Sequence, residues 1–93
     1  MNLTTKHIIV KGKVQGVFFR KNTKQIADEL HIKGRVKNTD EGHVEIIAQG
    51  DENAIKKLIE WCWQGPSKAE VNDVIVIDIN NVEDLKIFNI YRE

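Results

Sequence analysis

Along residues 7–13, Ile8 and Val10 fall on one side of an extended chain and Ile9 and Lys11 on the other, which predicts a strand over His7–Lys13. Val14–Phe19 reads as a loop, with Gly12 and Gly16 on its flanks. The period then lengthens. Thr23, Ile26, Ala27 and Leu30, spaced three and four apart, predict a helix over Arg20–Leu30. Lys33–Asn38 predicts a second strand, Thr39–His43 a turn, and Val44–Gly50 a third strand with Val44, Ile46 and Ala48 on one face. Asp51 is placed to cap a second helix that runs to about Gln64 and turns Ile55, Leu58, Ile59 and Cys62 inward. Gly65-Pro66 ends it, Gly by permitting a left-handed cap and Pro by forbidding continuation. Glu70–Ile79 predicts a fourth strand and Phe88–Tyr91 a short last one.

The order β-α-β-β-α-β plus a terminal strand predicts an α+β fold of the ferredoxin-like type. In it an antiparallel sheet carries two helices on one face and a short extra C-terminal strand. This topology places the third strand between the first and second. These two are then parallel, and their C-terminal ends emerge on the same edge of the sheet. The loop after the first strand, the start of the first helix and the end of the second strand are thereby expected to meet. Those ends hold Gln15–Arg20 and Asn38.

Ninety-three residues make one domain spanning 1–93 the expectation, with hydrophobic and charged fractions of 41% and 30% that are ordinary for a globular protein. No apolar run approaches the roughly 18 residues of a membrane span, and no secretory apolar stretch follows Met1. Cys62 is the only cysteine, so no intrachain disulfide can form and a cytoplasmic location is expected. The zero net charge hides an asymmetry. Residues 1–40 hold nine Lys/Arg against three Asp/Glu, and residues 41–93 hold five against eleven. A positive first half favours an anionic ligand, whereas the neutral total weighs against nucleic acid. Most of these charges are read as solvated surface groups.

Gly12-Lys13-Val14-Gln15-Gly16-Val17-Phe18-Phe19-Arg20 passes from a strand through a loop into a helix N-terminus. The first N–H groups of a helix lack internal partners, and the helix dipole favours negative charge there. A loop glycine lets successive N–H groups converge on one anion. Arg20 adds a permanently charged planar fork suited to phosphate oxygens. It is not a P-loop, because the Gly-Lys-Ser/Thr ending is missing. Taken alone the pattern is weak. Such connections usually bind nothing, Arg20 suits a surface ion pair equally well, and Asn38 in Asn-Thr-Asp-Glu-Gly is ordinary turn chemistry. The functional reading of Asn38 is an amide that holds a water for in-line attack.

Residues 12–20 resemble the signature G-x-V-Q-G-V-x-F-R of the acylphosphatase family. Gly34-Arg35-Val36-Lys37-Asn38-Thr39 with Gly42-His43-Val44-Glu45 resembles its second signature, G-x-V-x-N-x-x-x-G-x-V-E. Trp61, Gly65-Pro66, Ala69 and Val71 resemble a third family segment, so the likeness runs over roughly residues 7–91. The resemblance implies hydrolysis of a small-molecule acyl phosphate to a carboxylate and inorganic phosphate, without metal or cofactor. It implies that Arg20 binds the phosphoryl group, ringed by backbone N–H groups of Gln15, Gly16, Val17, Phe18 and Phe19, and that Asn38 orients the nucleophilic water. Phe18 stands where many relatives carry a smaller residue, and Glu41 where Asp is frequent. A monomer with no nucleic-acid or membrane partner is expected.

His7, His31 and His43 have no ligand spacing with one another or with Cys62, and no metal site is expected. Cys62 reads as a packed small hydrophobe, Trp61 as a helix–sheet packing residue and Trp63 as partly exposed. Ile75, Ile77 and Ile79, with Ile9 and Ile47, leave apolar side chains on the face of the sheet without helices; burial by the C-terminal tail is favoured over a partner surface. Two other functions compete. One is a non-catalytic binding module, for which RNA recognition would want exposed aromatics that His7–Lys13 and Val44–Gly50 lack. The other is an acylphosphatase-like part of a larger carbamoyl-transfer enzyme.

Overall fold

The structure, a computed structural model, describes residues 3–80 and 83–91; residues 1–2, 81–82 and 92–93 of the expected 1–93 span lie outside the described residues. The elements are β1 (Leu3–Lys13), α1 (Phe19–Glu29), β2 (Lys33–Asn38), β3 (Val44–Asp51), α2 (Glu52–Gln64), β4 (Glu70–Asp78) and β5 (Phe88–Tyr91). They form one sheet of order β4-β1-β3-β2-β5.

β1 begins four residues earlier than the alternation predicts, because Leu3–Lys6 continue the ladder opposite Asp51–Ala48 of β3. α1 begins and ends one residue earlier than predicted; it ends at Glu29 because Leu30, at φ −91° and ψ 3°, already leaves the helix and His31 takes φ 59°. β3 is antiparallel to both β1 and β2, with Ile8 opposite Ile46 and Val36 opposite the same residue on the other side. β1 and β2 therefore run parallel, and their C-terminal ends share an edge. β5 adds to the outer side of β2 in parallel, Val36 opposite Ile90, which makes the sheet mixed rather than wholly antiparallel.

α1 packs over β2 and β5, and α2 over β1, β3 and β4. Between helices and sheet lie Ile8, Val10, Val36, Val44, Ile46 and Ala48 from the strands, with Thr23, Ala27, Ile55, Leu58 and Cys62 from the helices. Each fully buried Ile, Leu or Val of this set contributes about 1.5–3 kcal/mol relative to exposure. Asp51 caps α2 by accepting from the Asn53 backbone N–H at 3.2 Å. Trp63 lies off the apolar stripe and is 51% exposed.

β4 and β5 stand at opposite edges, so the chain between them must cross the sheet. It does so on the face without helices, at the end remote from the β1–α1 loop. The Ile79 N–H donates to the Thr5 carbonyl, and the buried Gln49 amide donates to Thr5 Oγ1 and the Glu83 carbonyl. Gln49 Oε1 accepts from the Leu85 N–H at 2.7 Å. The crossing covers that end of the open face only, and Ile77 remains 49% exposed.

At the other end β1 carries a register shift between Lys11 and Gly12 against β4. Gly12 has φ +130°, and a Cβ there would overlap the Glu70 carbonyl oxygen. The shift bends the end of β1 into the loop that follows.

Burial pushes the Cys62 thiol up to about 12 from 9.0. An unfolded chain loses that proton near 9 and the folded chain near 12, so stability falls as pH rises through that interval and is unaffected below it. Native protein at pH 8 is expected to resist thiol alkylation and to react fully in denaturant; mass spectrometry of the two samples checks this.

Candidate active site

The loop between β1 and α1 is pinned from below and open above. Val14, Val17 and Phe19 are buried, and the Phe19 ring lies 5.1 Å from that of Trp61. The residues between them, Gly16 and Phe18, are exposed. Both take the left-handed region, with φ 75° and 64°. Gly16 does so without strain. For Phe18 it is an outlier that costs about 1–2 kcal/mol. Alternation of this kind turns successive N–H groups toward a common point.

Phe18 is also the N-cap of α1, which is why the helix starts at Phe19 rather than Arg20. It offers no side-chain cap. The Asn22 backbone N–H and Nδ2 both donate to the Phe18 carbonyl, at 3.1 and 2.9 Å, and so take up the first intrahelical acceptor. The N–H groups of Phe19, Arg20 and Lys21 precede that bond and have no helical acceptor. The first turn contains no acid, and places the cations Arg20 and Lys21 at the positive end of the dipole. That arrangement is electrostatically unfavourable until an anion joins it.

Asn38 ends β2 on the helix-covered side of the sheet, in line with Val36 and opposite Val44. It shares one open cavity of ≈ 590 Å³ with Val14, Gly16, Phe18, Phe19, Arg20, Lys21 and Ile90. Arg20 is half-buried, with Nη1 donating to the Tyr91 carbonyl at the end of β5, 3.4 Å away. Among the described residues no carboxylate pairs with it. No group of three or more His, Cys, Asp or Glu is close enough to hold a metal ion, again among the described residues.

Gln15 does something the sequence does not announce. Its Nε2 donates at 2.9 Å to both the Thr39 and the His43 carbonyl. These two carbonyls belong to the turn that follows Asn38. Within that turn the Thr39 N–H donates to the His43 carbonyl and Thr39 Oγ1 accepts from the His43 N–H. One amide thus fastens the β1–α1 loop to the strand end that carries Asn38.

Of the residues singled out from the sequence, Gly16, Phe18, Phe19, Arg20 and Asn38 line the cavity. The Gln15 side chain turns to the β2–β3 turn and the Val17 side chain to the core, leaving only their backbone in the loop. Lys21, Val14 and Ile90 complete the lining without having been singled out. Lys21 is legible as the next residue in the first helical turn. Ile90 is not, since it arrives by parallel pairing of β5 with β2, more than fifty residues along the chain.

The fold is that of a ferredoxin-like α+β protein, with an uncapped, cationic helix start and a strand-end amide lining one cavity. Comparison with known proteins is more specific. The acylphosphatase family profile matches residues 6–90. An acylphosphatase of Pelotomaculum thermopropionicum is 45% identical over 76 residues, 82% of this chain and 83% of that protein. The structure of an acylphosphatase from Coxiella burnetii superposes with a TM-score of 0.91 at 44% identity, covering 97% of this chain and 94% of that one. The acylphosphatase from Bacillus subtilis gives 0.92 at 38% identity, covering 98% and 100%. The chain belongs to the acylphosphatase family and is an enzyme of that class.

Replacing Gln15 by Ala removes two neutral hydrogen bonds, worth about 1 kcal/mol each. Both carbonyls keep a second donor in the turn, the Gly42 N–H for Thr39 and the Thr39 N–H for His43. Gln15→Ala is therefore expected to lower stability by roughly 1–2 kcal/mol, read as a shift in urea midpoint at unchanged slope.

Proposed function

We propose that the cavity hydrolyses acyl phosphates to a carboxylate and inorganic phosphate, with Arg20 and the N–H groups of Gln15–Phe19 holding the phosphoryl group and Asn38 orienting the attacking water. The observation that carries this reading is that Arg20 and Asn38, from different elements, line the same cavity as an uncapped helix start. Family membership supports the reaction, and the geometry supports the roles.

The chemistry needs few groups. The leaving carboxylate belongs to an acid of pKa about 4, so its oxygen departs unprotonated at neutral pH and no general acid is required. Water attacks phosphorus as the bond from phosphorus to the acyl oxygen breaks, and that bonding pair leaves with the carboxylate. One water proton passes to a phosphoryl oxygen, giving inorganic phosphate. Phosphoryl transfer is mainly positioning and stabilisation of charge on the equatorial oxygens. The Arg20 fork and the loop N–H groups supply the charge, and the Asn38 amide supplies the alignment. We further propose a monomer acting in the cytoplasm without metal or cofactor, because fixed donors already cover the dianion.

Hydrolysis of benzoyl phosphate in EDTA tests the reading. Arg20→Ala is expected to lose about 10²–10³ in rate or more, and Arg20→Lys to recover only part because a point charge lacks the fork. Asn38→Ala is expected to depress kcat with a milder effect on inhibition by inorganic phosphate. Phosphate inhibiting Arg20→Ala as strongly as wild type would remove Arg20 from its role. A wild type no faster than buffer would favour a binding module, and a rate abolished by EDTA would reject the metal-free mechanism.

A further inference from the structure

The structure assigns to the Phe18 side chain the selection of the acyl group: we infer that it walls the non-phosphoryl part of the cavity and favours acyl phosphates with an aromatic or bulky apolar acyl chain. The inference rests on the hydrolytic reading above and deepens it.

Phe18 serves the fold through its backbone, as the N-cap of α1, and not through its ring. Phe18 is 71% exposed, and among the described residues its ring pairs with no other aromatic, in contrast to Phe19 beside Trp61. It occupies φ 64°, where glycine or asparagine would sit with less strain. Only its backbone is needed to turn the loop. A bulky apolar side chain that sits on a strained backbone and leaves most of its surface exposed has that surface available to a ligand.

That surface faces the cavity. The lining divides by chemistry into Arg20, Lys21, Asn38 and the Gly16 backbone on the one hand, and Phe18, Ile90 and Val14 on the other. An acyl phosphate is divided in the same way, a dianion joined through one oxygen to a carbonyl and its substituent. A phosphoryl group of about five heavy atoms fills roughly 150 Å³ at the volume a water-sized group takes in liquid. The cavity is ≈ 590 Å³, so most of it lies beyond the phosphoryl group. In-line displacement sends the acyl oxygen away from the water. Asn38 comes from the end of β2 and Phe18 from the β1–α1 loop, so a water held by Asn38 leaves the Phe18 ring to the acyl group. The ring can cover an aromatic face or a branched chain, whereas a methyl group would leave it wet.

The test compares benzoyl phosphate with acetyl phosphate in wild type, Phe18→Gly and Phe18→Asn, both of which tolerate the left-handed conformation. The expected result is a wild-type kcat/KM favouring the benzoyl compound, with the ratio falling about tenfold in both variants, mainly through KM for benzoyl phosphate. The ratio is the readout because loss of loop order would lower both rates together. A ratio that is the same in all three proteins overturns the inference while leaving the hydrolytic reading intact. Calorimetry with phenylphosphonate and methylphosphonate supplies a reading free of turnover: the phenyl compound is expected to bind wild type more tightly and to lose that advantage in Phe18→Gly. Equal binding of the two by wild type overturns the inference. Hydrolysis of neither substrate, with the phosphonates still discriminated, condemns the hydrolytic reading and leaves the apolar wall standing.

Discussion

α1 begins with donors that the protein does not satisfy, and the rest of the site is arranged around that deficit. Most helices close their first turn with a side-chain oxygen or place an acid near it. Here the N-cap is a phenylalanine in the left-handed region, and Arg20 and Lys21 add positive charge where the dipole already supplies it. The repulsion is sustained because the loop beneath is fixed by buried Val14, Val17 and Phe19. A dianion with several acceptor oxygens is the kind of ligand that would relieve it.

Topology decides what lies opposite. A strand–helix–strand crossover makes β1 and β2 parallel, and insertion of β3 between them leaves their C-terminal ends on one edge but not adjacent. The gap above β3 is where the cavity opens. Asn38 reaches it as the last residue of β2, and Gln15 spans the remaining distance by holding the turn beyond Asn38 with both amide hydrogens. Loop and strand end thus form one rigid unit, which suits a reaction that depends on aligning a water with a phosphorus–oxygen bond.

Much of this was legible in the sequence, for identifiable reasons. The alternation of Ile8–Lys11 and the three–four spacing of Thr23, Ile26 and Ala27 are local signals, and local packing obeys them. The meeting of Arg20 and Asn38 follows from element order alone, because crossover rules leave the strand ends nowhere else to go. Illegible features share a non-local cause. The parallel docking of β5, and with it Ile90 and the Tyr91 carbonyl against Arg20, depends on a crossing tied down by Gln49 from the far end of the sheet. The one-residue shift of α1 depends on a backbone angle at Phe18 that no residue preference would place there. The fastening role of Gln15 belongs to a side chain whose identity alone does not tell which way it turns.

The small size of the domain bears on the choice of chemistry. A sheet with one helical layer has little interior in which to bury a titrating acid or base and shift its affinity for protons, and among the described residues the strongly shifted group is Cys62, on the buried face of α2 and outside the cavity lining. Fixed dipoles and a guanidinium need no such interior. They hold their charge at any physiological pH, and can act from a half-exposed cleft as long as the backbone that carries them does not move. The demand therefore passes from proton affinity to rigidity. It is met by the loop itself, in which the buried side chains of Val14, Val17 and Phe19 anchor the backbone in the core, while Gly16, Phe18 and Arg20 join Val14 and Phe19 in lining the cavity. Folding and the site thus draw on the same seven residues, Val14–Arg20, so the core that stabilises the fold also holds the backbone that lines the cavity.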